Sequence, residues 1–238
     1  MDADLLRELS EDRVVAWFSC GAASAVAAKL VPNAIVARCV VTNEHPDNDR
    51  FAADVAKWLG RDVIELRSDK YDDCWELWRK RRYLNGPSGA LCTVEMKKLV
   101  RRKFSRANDV HVFGFTSEEN NRASIFQKNN PEVEARFPLI EKGLTKAHCF
   151  QMIVDADIEL PMMYRLGYHN ANCVGCVKGG AGYWNKIRRD FPEVFARMSA
   201  MEEEIGASCI KGQPLATLPP NAGRHSDLEL PDCGLFCS

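Results

Sequence analysis

Short apolar runs alternate with amphipathic segments along the first half of the chain. Four runs are typical of buried strands, at residues 13–18, 34–41, 62–66 and 109–115. Helical patterns stand before and between these runs, at residues 4–12, 25–30, 49–59, 71–82 and 92–104. This β–α alternation predicts a doubly wound, Rossmann-like α/β fold with a mostly parallel sheet.

The pattern changes after about residue 135. Residues 137–140 are predicted to be extended, 167–182 to form a shaped loop rich in Gly, Asn and Cys, and 146–156 and 190–205 to be helical. The last thirty residues have little periodicity and are predicted to form an extended or mobile tail. We therefore divide the chain into a nucleotide-binding core (1–136), a helical part containing a CxxC motif and packed on the same domain (137–206), and a tail (207–238).

Composition narrows the class of protein. Of 238 residues, 46% are hydrophobic and 27% are charged, which is typical of a globular protein, and the net charge of -1 argues against a globally basic nucleic-acid binder. No apolar run reaches the length of a membrane span, and the acidic N-terminus lacks a signal-peptide pattern. We expect a cytoplasmic protein with no membrane partner. In that reducing compartment, the ten cysteines are not expected to form a disulfide framework.

The first predicted strand runs into a loop of small residues, namely Ser19, Cys20, Gly21, Ala22, Ala23 and Ser24. Small residues let backbone N–H groups approach an anion, and the N-terminus of the following helix adds partial positive charge. The hydroxyls of Ser19 and Ser24 are further donors. The loop lacks the Walker lysine and is not a GxGxxG motif. It predicts a phosphate-binding loop, with an ordinary strand–helix turn as the alternative.

The segment FSCGAASAVAAKL, residues 18–30, resembles the PP-loop of the phosphoadenylyl-sulfate (PAPS) reductase family. Loops of that family run Ser-x-Gly-x-x-Ser into an Ala/Val-rich helix. The related ATP pyrophosphatases carry an Asp before the last Ser, where this chain has Ala23. The resemblance implies an adenine nucleotide alpha-hydrolase-like fold and an adenine nucleotide substrate, namely adenylyl sulfate (APS), PAPS or ATP. The missing Asp favours the sulfonucleotide branch.

Three cysteines form the next candidate site. Cys92 opens the basic helix, and Cys173 and Cys176 form the CxxC motif. This arrangement resembles the iron–sulfur form of the family, in which a Cys-Cys pair and a CxxC bind a [4Fe–4S] cluster. Thiolates are soft anionic ligands that suit iron–sulfur clusters or zinc. Leu91 stands where the second cysteine of the pair belongs.

The fourth ligand is therefore left open. The cluster would have one open iron, or Cys233 or Cys237 would complete it. Tetrahedral zinc on the same residues and a metal-free set of thiols are the alternatives. Cys39 and Cys74 are interpreted as plain buried residues, because each lies in an apolar-rich segment.

The tail sequence Asp-Cys-Gly-Leu at residues 232–235 resembles the Glu-Cys-Gly-Leu-His tail of sulfonucleotide reductases. The resemblance implies that Cys233 is the nucleophile and that a thioredoxin-like thiol is the reductant. Phe236 replaces the His, and Cys237 is additional, either as a resolving thiol or as a cluster ligand.

Basic and polar residues elsewhere are candidate nucleotide contacts. Lys97 lies in the basic helix, and Arg122 follows the fourth strand at a position that resembles a substrate contact of the family. Glu44 and His45 follow the second strand, where α/β folds place ligands. Each of these residues has the alternative of an ordinary surface or structural role.

Three functions follow from these features. The first is a sulfonucleotide reductase with a reactive Cys233. The second is an ATP-dependent PP-loop sulfurtransferase that thiolates tRNA or DNA through a three-cysteine [4Fe–4S] cluster. The third is a non-catalytic nucleotide- or redox-sensing module. The tail favours the first and the count of three cysteines favours the second. The oligomeric state, homo-oligomers included, is left open.

Overall fold

The computed structural model describes residues 13–86, 89–228 and 230. The helix predicted at 4–12 lies outside these residues. Five parallel strands form one sheet in the order β3-β2-β1-β4-β5. They are β1 (Val14–Trp17), β2 (Ile35–Cys39), β3 (Val63–Leu66), β4 (Val110–Val112) and β5 (Glu134–Arg136).

All four predicted strands are confirmed, each shorter than its apolar run. The fifth strand was not predicted because Glu134 and Arg136 are exposed and polar. It pairs with β4 in the register Val110↔Glu134 and Val112↔Arg136. As an edge strand it is defined by backbone hydrogen bonds, which leave no apolar signature in the sequence.

Helices account for most of the remaining regular structure. Those in the first half are α1 (Ala22–Lys29), α2 (Asp47–Leu59), α3 (Cys74–Arg81), α4 (Leu91–Thr93), a π-helical turn (Val94–Lys98), α5 (Leu99–Phe104) and, after a 3-10 turn (Ser117–Glu119), α6 (Asn120–Asn129). Those in the second half are α7 (Pro138–Glu141), α8 (Lys146–Asp155), α9 (Met162–Arg165), α10 (Ala181–Asp190), α11 (Pro192–Ile205) and a final 3-10 turn (Leu215–Thr217).

Helices cover both faces of the sheet because alternate residues of β1 point to opposite sides. Ala16 lies in the larger apolar cluster, together with buried residues of α1, α2 and α8. Val15 and Trp17 lie in a smaller cluster on the other face, against Phe104 of α5 and Phe126 of α6. The predicted doubly wound α/β fold is therefore confirmed.

Of two predictions about the second half, one was wrong and one is confirmed. Residues 137–140 were predicted to be extended, but α7 begins at Pro138, whose fixed φ suits the first turn of a helix. The helix predicted at 190–205 is confirmed as α11, which begins at Pro192, directly after Phe191 (φ -141°) ends α10.

The chain after α11 is irregular, as predicted, and its described part packs against the domain. Leu215 and Leu218 are buried, and the Leu228 N–H donates to the Gly167 carbonyl at 2.9 Å. Where this segment crosses α10, a Cβ on Gly182 would lie 2.3 Å from the Arg224 carbonyl oxygen, so only glycine fits at that position. Within residues 13–86, 89–228 and 230, none of the helices combines the length and the apolar character needed to cross a bilayer.

Candidate functional site

The strand order creates a crevice at the carboxyl ends of the strands, between β1 and β4. The chain runs from β1 outward through β2 to β3, then returns to place β4 on the other side of β1. Loops that leave β1 and β4 at their carboxyl ends therefore diverge, and open α/β sheets bind ligands at such a switch point. The loop after β1 is the predicted phosphate loop.

Hydrogen bonds close that loop into a compact turn. The Ser24 hydroxyl accepts from the Ser19 backbone N–H at 3.1 Å and from the Ser19 hydroxyl at 3.2 Å, and it donates to the Gly21 carbonyl at 2.8 Å. Helix α1 begins at Ala22, and its N-cap residue Gly21 has no side chain to cap it. The Tyr164 hydroxyl stands at this end of the helix, 3.1 Å from the position of a Cβ on Gly21. Backbone N–H groups at a helix N-terminus that lack an intrahelical partner can meet an anion.

Cys20 within the loop and Gly114 beneath it support the backbone conformation of the loop. Cys20 has a positive φ of 56° and is buried, with its sulfur 3.7 Å from the Asn48 carbonyl oxygen. Burial raises the pKa of the Cys20 thiol to about 12, so the thiol stays protonated at neutral pH. Beneath the loop, a Cβ on Gly114 would lie 2.6 Å from the Ser24 Cα, so the chain after β4 touches the loop's backbone directly.

A cavity of about 590 Å³ opens beside this loop, and we call it the loop cavity. Its lining includes Ser19, Gly21, Ala23 and Ser24, whereas Ala22 and Cys20 are buried behind them. Four cationic side chains also line it, namely Lys97, Arg101, Arg122 and Lys146. The structure thus brings the predicted loop, Lys97 and Arg122 to one cavity.

Arg122 is held at the rim of the loop cavity. Its guanidinium lies 4.7 Å from the centroid of the Phe115 ring and pairs with Glu119 at 2.5 Å. Its side chain is 68% exposed, so it is available to an incoming anion. Glu118 and Glu119 line the same rim and partly offset the positive charge.

A second cavity, of about 420 Å³, adjoins the first, and we call it the cysteine cavity. The predicted ligands Cys92, Cys173 and Cys176 all line it. Thr93, Lys97, Asn170 and Asn172 line both cavities and form the wall between them.

The CxxC turn is fixed by hydrogen bonds to its own backbone. The Tyr183 hydroxyl accepts from the Cys176 N–H at 2.8 Å and donates to the Cys173 carbonyl at 3.2 Å. Gly175 between them has a φ of 75°, a conformation that favours glycine. Cys173 also forms a backbone bridge with Glu44, which ties the turn to the segment after β2.

The thiols of this cavity differ in acidity. A hydrogen bond from Cys74 lowers the pKa of Cys92, and the charges of Lys97 and Lys178 act in the same direction against the cost of burial. Burial raises the pKa of Cys173 to about 12 and also raises that of Cys176. Cys92 is therefore the thiol that ionises first.

Lys97 links the two cavities electrostatically. Its ammonium pairs with the Glu44 carboxylate at 2.9 Å, and Glu44 is only 7% exposed. Burial alone would lower the pKa of Lys97, but Glu44 and Cys173 outweigh it and raise the pKa. Lys97 is therefore a fixed positive charge in the shared wall.

Of the other predicted site residues, Glu44 and His45 line neither cavity. Glu44 holds Lys97 and accepts from Asn48 at 3.3 Å, so it positions a cation behind the wall. The His45 ring accepts from the Asp47 N–H at 3.1 Å and lies edge-on to Phe191. Cys233 and Cys237 lie outside the described residues.

Cys74 is a cysteine of this cavity that the sequence analysis did not assign to the site. It was interpreted as a plain buried residue; it is buried, but it also lines the cysteine cavity. Nothing in its spacing relates it to the CxxC motif, which lies about a hundred residues later. The one available signal was its place at the first turn of a helix that follows a strand's carboxyl end.

None of the eight cysteines among the described residues forms a disulfide. Across the same residues, no three His, Cys, Asp or Glu side chains already stand in an arrangement that holds a metal ion. No family model matches the chain, and a search of the curated proteins found no match.

Proposed function

We propose that this protein is a PAPS reductase-like enzyme that reduces an adenosine phosphosulfate, APS or PAPS, to sulfite. The observation that carries the proposal is the shared wall, in which Lys97 faces both an anion-binding loop and a set of thiols. A substrate that carries both phosphate and sulfate fits a cavity with this loop at one side and a cation beside cysteines at the other.

The loop cavity supplies the groups that such a nucleotide needs. Backbone N–H groups at the start of α1 and the Ser19 hydroxyl would receive the phosphate oxygens. Lys97, Arg101 and Arg122 would supply charge-assisted hydrogen bonds to the remaining oxygens. Lys97 is the cation that also faces the thiols, so we assign it to the sulfate end.

The cysteine cavity suits an iron–sulfur cluster by its donor set. Soft thiols line it, and Lys97 and Lys178 stand beside them to offset the negative charge of thiolate ligands. Cys92, Cys173 and Cys176 would hold the cluster, which would supply a fixed charge distribution next to the substrate's sulfate. The π-helical turn that follows α4 carries Lys97 toward the same cavity.

The reaction requires a nucleophile and a two-electron reductant. The Cys233 thiolate attacks the sulfur of the bound sulfonucleotide, and the sulfur–oxygen bond to the phosphate breaks, so that AMP or its 3′-phosphate leaves with the electron pair. A dithiol reductant of the thioredoxin type then attacks the Cys233 sulfur and sulfite leaves with that bond's electron pair. The second thiol of the reductant resolves the mixed disulfide, so the dithiol loses two electrons and the substrate sulfur gains two.

The test is sulfite release by anaerobically purified protein from APS and from PAPS, with a dithiol as reductant. We expect Cys233→Ser to abolish sulfite release, because the hydroxyl is a far weaker nucleophile than a thiolate, while nucleotide binding persists. Cys237→Ser is the matched control and should retain turnover. Normal sulfite release by Cys233→Ser would refute the nucleophile assignment. ATP cleavage with sulfur transfer to tRNA or DNA, and no sulfite from either substrate, would instead identify the sulfurtransferase.

A further inference from the structure

Four cysteines, not three, line the cysteine cavity. The structure describes eight cysteines, and those at this cavity are Cys74, Cys92, Cys173 and Cys176. Cys74 stands at the start of α3, Cys92 lies in α4, and Cys173 and Cys176 share the CxxC turn, so the four thiols reach the cavity from three separate segments. Four thiols are the number that a fully coordinated [4Fe–4S] cluster or a tetrahedral zinc site requires.

Cys74 is placed by the same residue that places the CxxC turn. The Cys74 N–H donates to the side-chain oxygen of Asn43 at 2.9 Å, and the Val174 N–H donates to the Asn43 carbonyl at 2.8 Å. Asn43 therefore fixes the first turn of α3 to the turn that carries Cys173 and Cys176. Asn43 thus holds Cys74 and the CxxC turn, which are distant in the sequence, beside the same cavity.

The Cys74 thiol is also directed at the other candidate ligands. It lines the same cavity as the thiols of Cys92, Cys173 and Cys176. Its sulfur lies 3.6 Å from the Met96 sulfur, and the residue is 1% exposed.

We infer that Cys74 is the fourth protein ligand of the metal centre at this cavity, in the place that Leu91 leaves open and instead of Cys233 or Cys237. This inference rests on the metal centre in the proposed function, and not on the reductase activity itself. The chemical consequence of this inference is that a cluster with four protein thiolates has no open iron to carry sulfur, and that Cys233 remains free to act as the nucleophile.

The experiment compares Cys74→Ala with Cys209→Ala after anaerobic purification. Cys209 is the matched control because it is also buried (7% exposed) and packs in the same apolar cluster, but lines neither cavity. Iron, sulfide and zinc are measured per chain, with electron paramagnetic resonance after mild oxidation, and circular dichroism checks folding. We expect about four irons per chain in the wild type and in Cys209→Ala. Cys74→Ala should hold about three or fewer, with the signal of a three-iron cluster.

If the wild type holds zinc in place of iron, Cys74→Ala should lose it and Cys209→Ala should keep it. A folded Cys74→Ala with the wild-type metal content and no three-iron signal would overturn the inference. A wild type without iron or zinc would overturn it too. The sulfite assay is separate: metal loss in Cys74→Ala from a wild type that releases no sulfite would support Cys74 as a ligand and refute the reductase. If Cys74→Ala fails to fold, Cys74→Ser takes its place under the same criteria.

Discussion

Replacing Gly114 by alanine should displace the phosphate loop by placing a Cβ against its backbone, without removing any side chain that would contact the nucleotide. The added Cβ would lie 2.6 Å from the Ser24 Cα, 2.7 Å from the Ser24 nitrogen and 2.8 Å from the Ala23 carbonyl carbon. Carbon atoms in contact prefer about 3.5 Å or more, so the backbone must move by roughly 1 Å. All three neighbours are backbone atoms, and no flexible side chain can absorb the shift.

A displacement of about 1 Å in a site that positions a ligand costs on the order of 100-fold in function, equivalent to about 2.7 kcal/mol. We expect Gly114→Ala to bind APS, PAPS or AMP about 100-fold more weakly by isothermal titration calorimetry. Overpacking should also lower the free energy of unfolding by about 1–3 kcal/mol.

Gly180→Ala is the control, because nothing lies within 4 Å of the Cβ it would add and its φ is -83°. It should bind as the wild type does. If Gly114→Ala is folded and binds nucleotide within about threefold of the wild type, the loop does not hold the phosphate in the way we describe. If the variant is too unstable to assay, Ser24→Ala is the second test, since it removes the hydroxyl that closes the loop.

Two further predictions concern ion pairs. Lys97→Met should weaken nucleotide binding about tenfold and reduce the free energy of unfolding by about 1–3 kcal/mol, because it leaves the buried Glu44 carboxylate without its cation. Adding Glu44→Gln to it should recover stability in urea unfolding but not affinity; recovery of both would show that Lys97 has only a structural role. Asp47→Asn should cost about 1–3 kcal/mol at pH 7, because Asp47 accepts from Arg50 at 2.7 and 2.9 Å and from the Met162 N–H at 2.7 Å. The hydrogen bonds from Arg50 lower the pKa of Asp47 below 3.8, so its stabilisation is present above that pH and is lost as the pH falls through the folded-state pKa. The wild-type advantage should therefore shrink below about pH 4 in urea unfolding, and an advantage that does not change with pH would contradict this assignment.

The strands that carry the site were predictable because each is a buried apolar run that ends in small or polar residues. The edge strand β5 was not predictable, since it is polar and is defined by backbone pairing with Val110–Val112.

The loop cavity was the more predictable half of the site. A loop that follows a buried strand and starts a helix is local in sequence, so its shape follows from its small residues and its serines. Lys97 and Arg122 could be named as cations, but their placement on one cavity depends on the crossover that puts β4 beside β1. The position of Glu44 behind Lys97, and not against the cavity, is also a result of packing.

The sequence by itself determined the doubly wound α/β class, the position of the small-residue loop after β1 and the positions of three of the four cavity cysteines, because each follows from a contiguous run of residues. Only the tertiary structure decided that Cys74 stands with Cys92, Cys173 and Cys176, and that Lys97 joins their cavity to the loop. The physical reason is that Asn43 holds Cys74 and the CxxC turn together through hydrogen bonds between segments about a hundred residues apart, and such contacts leave no periodicity along the chain.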